Sequence, residues 1–202
     1  MDRRYGETHT AATACTLANS SPTRKTMTAA NLPPVTLILG GARSGKSSYA
    51  ERLAEAREGP CVYLATAAAG DAEMAARIAL HRERRGPRWT THEEPLALAG
   101  ALAAVARPGT VTVVDCLTLW LSNVMHSELH VENECEQLCA ALSRLPGPVV
   151  LVSNEVGLGI VPDNALARRF RDAAGRLNQS VAAVADRVVF VAAGLPLVLK
   201  GA

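Results

Sequence analysis

The chain has 202 residues, which is enough for one well-packed α/β domain and too few for two. Its formal net charge is +2 and 20% of its residues are charged, so the composition indicates neither a nucleic-acid partner nor a membrane surface. No apolar run reaches the roughly 18 residues of a transmembrane helix, and the amino-terminal region lacks a secretory pattern, so we expect a cytoplasmic protein without a membrane span.

The amino-terminal segment differs in composition from the rest of the chain. Residues 1–33 are rich in Thr, Ala, Ser and Asn, and they show neither a helical nor a strand period. We predict a disordered leader over 1–33, followed by one domain over 34–202.

Short apolar runs alternate with helical segments from Val35 onward. Runs that are apolar on both faces are typical of strands buried between helices, and intervening helices require parallel pairing. A last run, PLVLK, follows the fifth after only a few residues around Gly194, too few for a crossover helix, so it is predicted to be an antiparallel edge strand. The five predicted parallel strands are VTLIL (35–39), CVYLA (61–65), VTVVD (111–115), VVLVS (149–153) and VVFVA (188–192).

The first strand runs directly into GGARSGKS, which has the Gly-x4-Gly-Lys-Ser spacing of a P-loop between a strand and a helix. Glycines let backbone N–H groups turn toward phosphates, and the helix amino terminus adds positive potential. Lys46 is expected to reach the terminal phosphates of a bound nucleotide, and Ser47 to bind Mg²⁺. The alternative is a glycine-rich turn. The predicted phosphate-binding residues are Gly40, Gly41, Ala42, Arg43, Ser44, Gly45, Lys46 and Ser47.

Asp115 closes the buried run VTVVD. A P-loop protein needs an acidic residue at the end of a neighbouring strand to complete the magnesium shell, and Asp115 is placed for that role. The alternative is a helix cap for the segment that follows.

A histidine stands among arginines in the segment AARIALHRERRG. A helix beginning at Asp71 would put Met74, Ile78 and His81 on one face. Arg85, one turn later, is one of several nearby cations that would disfavour a protonated imidazole and leave His81 neutral and nucleophilic. Guanidinium groups also bind phosphate oxygens in pairs. The alternative is a half-buried structural histidine.

The loop SNEVGLGIVPDN follows the fourth predicted strand, at the sheet edge where α/β proteins bind ligands. Asn154 and Glu155 are candidates for orienting a substrate hydroxyl or a magnesium-bound water. The alternative is a turn built around Gly157, Gly159 and Pro162 that leads into a helix. We predict that this helix begins at Pro162-Asp163.

The five cysteines include no CxxC pair and are expected to be reduced. Cys135 and Cys139 are four residues apart on a predicted helix, but two thiols without a further soft ligand make a poor zinc site.

Several segments together resemble one enzyme family. GGARSGKS, the helix EMAARIALHRERR with the following RWTTHEE, VVDCLT, and NEVGLGIVPDNALAR with RDAAGRLNQ are similar to the bifunctional adenosylcobinamide kinase and adenosylcobinamide-phosphate guanylyltransferase of cobalamin biosynthesis. The resemblance extends from about Val35 to Lys200, in order and with similar spacing.

This resemblance implies a RecA-like, three-layer P-loop fold and usually a homotrimer. It implies two reactions: ATP or GTP phosphorylates adenosylcobinamide, and GTP then gives GMP to a histidine, matched here by His81, which passes it to the cobinamide phosphate. Some relatives carry Glu where Asp115 stands, which leaves open whether Asp115 contacts magnesium or nucleotide. Besides Gly40 to Ser47, the nucleotide-binding positions that match are Thr66, Ala67, Ala68, Arg82, Glu83, Arg84, Arg85, Glu93 and Asp115.

Two other functions are compatible with the P-loop. A single-activity small-molecule kinase would need Lys46 and Asp115 but not His81. A nucleotide-dependent switch or assembly protein would hydrolyse nucleotide slowly, under the control of a partner, and would transfer nothing to a corrinoid.

Overall fold

The computed structural model describes residues 32–67 and 85–201, which contain seven strands and five helices. The strands are β1 (Val35–Gly40), β2 (Cys61–Ala65), β3 (Trp89–Glu93), β4 (Val111–Asp115), β5 (Val149–Asn154), β6 (Arg187–Ala192) and β7 (Leu195–Lys200). The helices are α1 (Lys46–Glu55), α2 (Leu98–Val105), α3 (Leu117–Met125), α4 (Val131–Leu142) and α5 (Ala165–Val184).

The strands form one sheet in the order β3-β2-β4-β5-β1-β6-β7. The first six strands in this order are parallel, and β7 pairs antiparallel with β6 at the edge. The predicted parallel sheet with an antiparallel last strand is therefore confirmed. The strand β1, which leads into the P-loop, and the strand β4, which ends in Asp115, are separated by one strand, β5.

The strand β3 was missing from the sequence prediction, which gave six strands. Its sequence, WTTHE, contains no apolar run because β3 is an edge strand with exposed or half-buried side chains. Its aromatic and β-branched residues, which favour strands, were the available signal.

Helices cover both faces of the sheet, which confirms the three-layer architecture. Side chains alternate across β1, so that Leu37 packs with α2 to α5 while Ile38 packs with α1, and both are fully buried. Among the described residues, α1 is the helix on the Ile38 face.

The helix α5 begins at Ala165, not at the predicted Pro162-Asp163. The Asn164 side chain accepts a hydrogen bond of 2.7 Å from the amide of Ala167 and is the N-cap. Arg168 reaches back to the carbonyl oxygens of Pro162 and Asp163, at 2.9 and 2.6 Å, and holds these two residues in the preceding loop.

Some sequence predictions concern residues 1–31 and 68–84, which lie outside the described ranges. Of the predicted leader, Leu32 is described, and it packs into the core beside α1 with 9% of its surface exposed. The described cysteines Cys61, Cys116, Cys135 and Cys139 are all free thiols, as expected. In the described part of the chain, no helix is long and apolar enough to cross a membrane.

Candidate nucleotide-binding site

Most of the predicted site residues lie at the carboxyl edge of the parallel strands. Ala65 at the end of β2 is in register with Glu93 on one side and Asp115 on the other, and Gly40 of β1 is in register with Asn154 of β5. This edge is where open α/β sheets bind their ligands.

Two P-loop glycines are required by close approaches of the backbone. A Cβ atom on Gly40 would lie 2.3 Å from the carbonyl oxygen of Val191 and 2.8 Å from the Ser44 hydroxyl. Gly45 has a φ of +96°, and its Cβ would lie 3.3 Å from the Cα of Gly194. The loop can take this path only with glycine at both positions.

The P-loop is supported from two sides. The amide of Gly194, in the tight turn between β6 and β7, donates to the carbonyl oxygen of Ser44 at 2.8 Å. The amide of Glu155, just after β5, donates to the carbonyl oxygen of Gly40 at 2.9 Å. Main-chain contacts from two other parts of the chain therefore support the loop.

The interior of the loop fits a phosphate group. The Ser44 hydroxyl is buried, and it has no hydrogen-bond partner within the described ranges. Buried polar atoms are normally paired, so an unpaired hydroxyl inside a glycine loop at a helix amino terminus is suited to an anion.

Lys46 lies across this loop. Its side chain is nearly buried, and Nζ donates to the carbonyl oxygen of Gly41 at 2.7 Å. Burial lowers the pKa of Lys46, although the nearby Asp115 and Cys116 act in the opposite direction. A phosphate oxygen would give the buried ammonium group a stronger, charge-assisted partner than this carbonyl.

The Asp115 carboxylate is fixed by a tyrosine. Its Oδ2 accepts a hydrogen bond of 2.9 Å from the hydroxyl of Tyr63. Burial, and then the Asp115 charge, raise the pKa of Tyr63, so the phenol stays protonated and donates. The following helix α3 has Cys116 as its N-cap residue and no side-chain cap, so the helix-cap alternative for Asp115 finds no support.

The residues expected to bind Mg²⁺ come from neighbouring elements. Ser47 lies in the first turn of α1, and α1 packs against β4, which ends in Asp115. A hydroxyl and a carboxylate are oxygen ligands of the type that magnesium prefers.

Thr66 connects three elements through all of its polar groups. Its hydroxyl donates to the Cys116 carbonyl oxygen at 2.7 Å and accepts from the Cys116 amide at 2.9 Å. Its amide donates to the main-chain carbonyl oxygen of Asp115 at 3.2 Å, and its own carbonyl oxygen accepts from the Asn123 side chain at 2.8 Å. The Thr66 side chain therefore ties the end of β2 to the start of α3. Of the neighbouring predicted positions, Ala67 is described and half-buried, whereas Ala68 lies outside the described ranges.

The arginine cluster is described only in part. Arg85 has a 5% exposed side chain that forms an ion pair with Glu51 of α1 at 3.1 Å and donates to Thr91 at 3.3 Å. Its guanidinium carbon also lies 3.2 Å from the ring centre of Tyr63. Glu93 is exposed at the end of β3. The residues His81, Arg82, Glu83 and Arg84 lie outside the described ranges.

The two candidate substrate residues have different surroundings. The Glu155 side chain accepts from the amide of Gly157 at 2.6 Å, which supports the predicted turn. Asn154 ends β5, and its side-chain amide points toward the sulfur of Cys116 at 4.0 Å.

A buried polar cluster beneath Asn154 was not predicted. Ser153 donates to the side chain of Asn178 at 2.7 Å, and Asn178 donates to the carbonyl oxygen of Asn154 at 3.3 Å. The amide of Asn154 donates to Thr118 at 2.7 Å. Asn178 follows Ala174 by four residues on the apolar face of α5, and a polar residue within an apolar stripe was a signal for this cluster.

Comparison with known proteins decides the family. Residues 36–199 match the family model CobU, which is described as cobinamide kinase / cobinamide phosphate guanyltransferase. The chain belongs to this family. The members of the family are transferases, and the resemblance seen in the sequence is confirmed.

Two relatives match this chain over almost their whole length. The bifunctional adenosylcobalamin biosynthesis protein CobP of Pseudomonas aeruginosa is 55% identical over 168 residues, which cover 82% of this chain and 96% of the relative. The bifunctional adenosylcobalamin biosynthesis protein CobU of Salmonella typhimurium is 41% identical over 180 residues, covering 81% and 98%.

A solved structure shows the same fold. A protein from Pyrococcus horikoshii OT3 superposes with a TM-score of 0.50 at 8% sequence identity, covering 83% of this chain and 86% of that one. With the P-loop and the strand order above, this likeness agrees with the predicted RecA-like α/β fold.

Proposed function

We propose that this protein phosphorylates adenosylcobinamide with ATP or GTP and then transfers GMP from GTP to the product through a guanylyl-histidine on His81. The cradle formed by Gly40 to Ser47 carries the proposal, because it fits the phosphates of a nucleotide. Its Ser44 hydroxyl is buried without a hydrogen-bond partner among the described residues, and its Lys46 is buried. Membership of the family, whose description contains both activities, supports the two reactions.

In the kinase step, the aminopropanol hydroxyl of adenosylcobinamide attacks the γ-phosphorus. A bond forms between that oxygen and γ-phosphorus, the β–γ bridge breaks, the hydroxyl proton leaves and the nucleoside diphosphate departs. Phosphoryl transfer of this kind depends on positioning and on charge stabilisation, which the loop amides and Lys46 supply.

In the guanylyl step, the same loop holds the β- and γ-phosphates as the leaving group. An imidazole nitrogen of His81 attacks the α-phosphorus, the α–β bridge breaks and pyrophosphate departs. The phosphate of adenosylcobinamide phosphate then attacks the histidine-bound phosphorus, which gives adenosylcobinamide-GDP and frees the histidine. A covalent intermediate divides the transfer in two, so this half-reaction should follow ping-pong kinetics.

Magnesium has a place in this scheme. Ser47 and Asp115 would hold the ion, which, when bound, neutralises charge on the β- and γ-phosphates. The fixed Oδ2 of Asp115 favours this role, because one carboxylate oxygen is already paired to Tyr63. Burial lowers the pKa of Lys46 in the loop, and the nearby Asp115 charge opposes that shift.

Intact-protein mass spectrometry after incubation with GTP and Mg²⁺ tests the covalent step. We expect the native chain to gain the mass of one GMP moiety and His81→Ala to gain nothing, because no other residue is proposed to carry the adduct. An unmodified native chain, in a preparation active in guanylyl transfer, would exclude the intermediate.

The same variant separates the two reactions. His81→Ala should retain γ-phosphoryl transfer to adenosylcobinamide and lose GMP transfer, since the first reaction needs no histidine. Equal loss of both would contradict the division of roles. A kinase without the second activity would never form the adduct, and a switch protein would transfer nothing to the corrinoid.

A further inference from the structure

Four side chains form a continuous chain from the helix after the P-loop to the carboxylate at the sheet edge. Glu51 of α1 pairs with Arg85, the Arg85 guanidinium lies on the ring of Tyr63, and the Tyr63 hydroxyl donates to Asp115. The successive distances are 3.1 Å, 3.2 Å and 2.9 Å.

The strand register explains why Tyr63 can reach Asp115. Tyr63 of β2 is in register with Val113 of β4, and Asp115 is the next residue of β4 on the same face. The long phenol therefore extends diagonally toward the end of the neighbouring strand. Because Tyr63 is 7% exposed, its hydroxyl is directed to one acceptor rather than to water.

The hydrogen bond leaves Asp115 with two unequal oxygens. Oδ2 accepts from Tyr63, and among the described residues no side chain donates to Oδ1. The carboxyl torsion of an aspartate is broad, so a single hydrogen bond from a buried donor selects one orientation from many. Hydrogen bonds of this kind orient the carboxylates that bind metals.

Arg85 in turn fixes the ring of Tyr63. The guanidinium covers one face of the ring, while Trp89 meets the ring edge-on, with the ring centres 6.3 Å apart. Both Nε and Nη1 of Arg85 have acceptors, on Glu51 and Thr91. The side chain is thus engaged by the body of the protein on several sides.

We propose that Tyr63 is a positioning residue for the magnesium-binding carboxylate of Asp115 and that Arg85 acts through Tyr63 rather than on the nucleotide phosphates. The inference rests on the proposed function only in that Asp115 serves the metal. It assigns Tyr63 a role that the motifs do not contain, and it assigns Arg85 a different role from the one that the resemblance implied.

The test measures Mn²⁺ affinity by the electron paramagnetic resonance of free Mn²⁺, with the protein saturated by a non-hydrolysable GTP analogue. Tyr63→Phe keeps the ring for Arg85 and Trp89 but removes the donor. We expect it to weaken Mn²⁺ binding about tenfold, with little change in analogue affinity measured without metal. Tyr49→Phe is the matched control, because Tyr49 is also buried on the α1 side but its hydroxyl makes no hydrogen bond within the described ranges; its Mn²⁺ affinity should equal that of the native chain.

Asp115→Asn and Arg85→Lys complete the experiment. Asp115→Asn should weaken Mn²⁺ binding at least as much as Tyr63→Phe. Arg85→Lys should weaken Mn²⁺ binding in the native chain but add little in the Tyr63→Phe background, as two residues in one chain of contacts do.

Three results would overturn the inference. The first is a Mn²⁺ affinity of Tyr63→Phe equal to that of Tyr49→Phe, and the second is an unchanged Mn²⁺ affinity of Asp115→Asn. The third is a loss of GTP-analogue affinity in Arg85→Lys that is as large without metal as with it. None of these depends on GMP transfer. Missing GMP transfer together with the expected Mn²⁺ affinities would instead count against the proposed function and leave the role of Tyr63 standing.

Discussion

Buried threonines of this protein differ in what their hydroxyl groups do. The Thr66 hydroxyl both donates to and accepts from Cys116, whereas the Thr36 hydroxyl is equally buried and has no partner within the described ranges. The residue type and the burial are the same at both positions. Only the hydrogen-bond partner distinguishes Thr66, which stabilises the edge of the site, from Thr36, whose buried hydroxyl lowers the stability of the fold.

Replacing each threonine with valine, which has nearly the same volume, should therefore give opposite results. Thr66→Val leaves the buried amide of Cys116 without its acceptor, whereas the Cys116 carbonyl oxygen keeps its second donor, the amide of Trp120. We therefore expect a loss of about 1–3 kcal/mol in the free energy of unfolding. Thr36→Val removes an unpaired hydroxyl and should be neutral or stabilising. Urea unfolding of both variants measures the difference, and equal losses would contradict this account.

At this scale the sequence predicts residues whose role follows from their place in the chain. Lys46 and Asp115 could be proposed as site residues because one follows a glycine loop and the other closes a strand. The contact between Tyr63 and Arg85 could not be predicted, because it depends on strand register and on which side of the sheet Arg85 lies against. Neither property can be read from a single sequence.

Among the elements, the hairpin of β6 and β7 contacts the P-loop, which the sequence did not predict. It has a two-residue turn in which Ala193 and Gly194 both have positive φ, at +50° and +79°, as the tight turns of hairpins require. This turn meets the P-loop at Ser44 and Gly45. An edge strand predicted only as the end of the sheet thus supports the phosphate cradle.

Two Gly→Ala substitutions should separate this support from general stability. Gly194→Ala forces alanine into the left-handed region, at a cost of about 1–2 kcal/mol, and should lower both the melting temperature and the affinity for ATP. Gly175→Ala, in α5, adds a Cβ that meets nothing within 4 Å and should stabilise the protein by about 0.5–1 kcal/mol, with unchanged ATP affinity. Calorimetry and ATP titration test the pair, and unaltered ATP binding by Gly194→Ala would refute the support.

The five parallel strands with apolar runs were predicted correctly because burial on both faces leaves a strong pattern. The strand β7 also has an apolar run, although all of its residues are exposed. The exception was β3, whose polar, half-exposed side chains follow from its edge position. The predicted start of α5 was too early, because Pro162-Asp163 resembles a helix start. The hydrogen bonds from Arg168 that keep these two residues in the loop depend on the folded structure and are not visible in the sequence pattern.

For the whole molecule, the exposed apolar surface bears on assembly. Leu158 and Ile160, in the loop after β5, are 81% and 98% exposed, and Leu195 and Leu197 of β7 are 73% and 61% exposed. Large exposed apolar patches mark interaction surfaces, and an edge strand with no neighbour among the described residues is a site where another chain can pair. These features indicate a surface for assembly, and the family resemblance implies a homotrimer.

Light scattering after size-exclusion chromatography should accordingly give three times the chain mass of 21.2 kDa. The double substitution Leu158→Ser and Ile160→Ser should shift the distribution toward monomer, because it removes apolar area from the interface. Leu129→Ser, at an exposed leucine between α3 and α4, is the control and should leave the mass unchanged. A native chain that elutes as a monomer at every concentration would refute the trimer.

The contact between Ser44 and Gly194 also has a consequence for synthesis. The two residues are 150 positions apart in the chain, yet the main chain of one supports the other. On the ribosome, the glycine loop emerges long before the turn that supports it. The unfinished protein therefore carries the complete P-loop motif without the contact that supports it. Tight nucleotide binding during translation would show that the hairpin of β6 and β7 has been synthesised and has paired with the sheet.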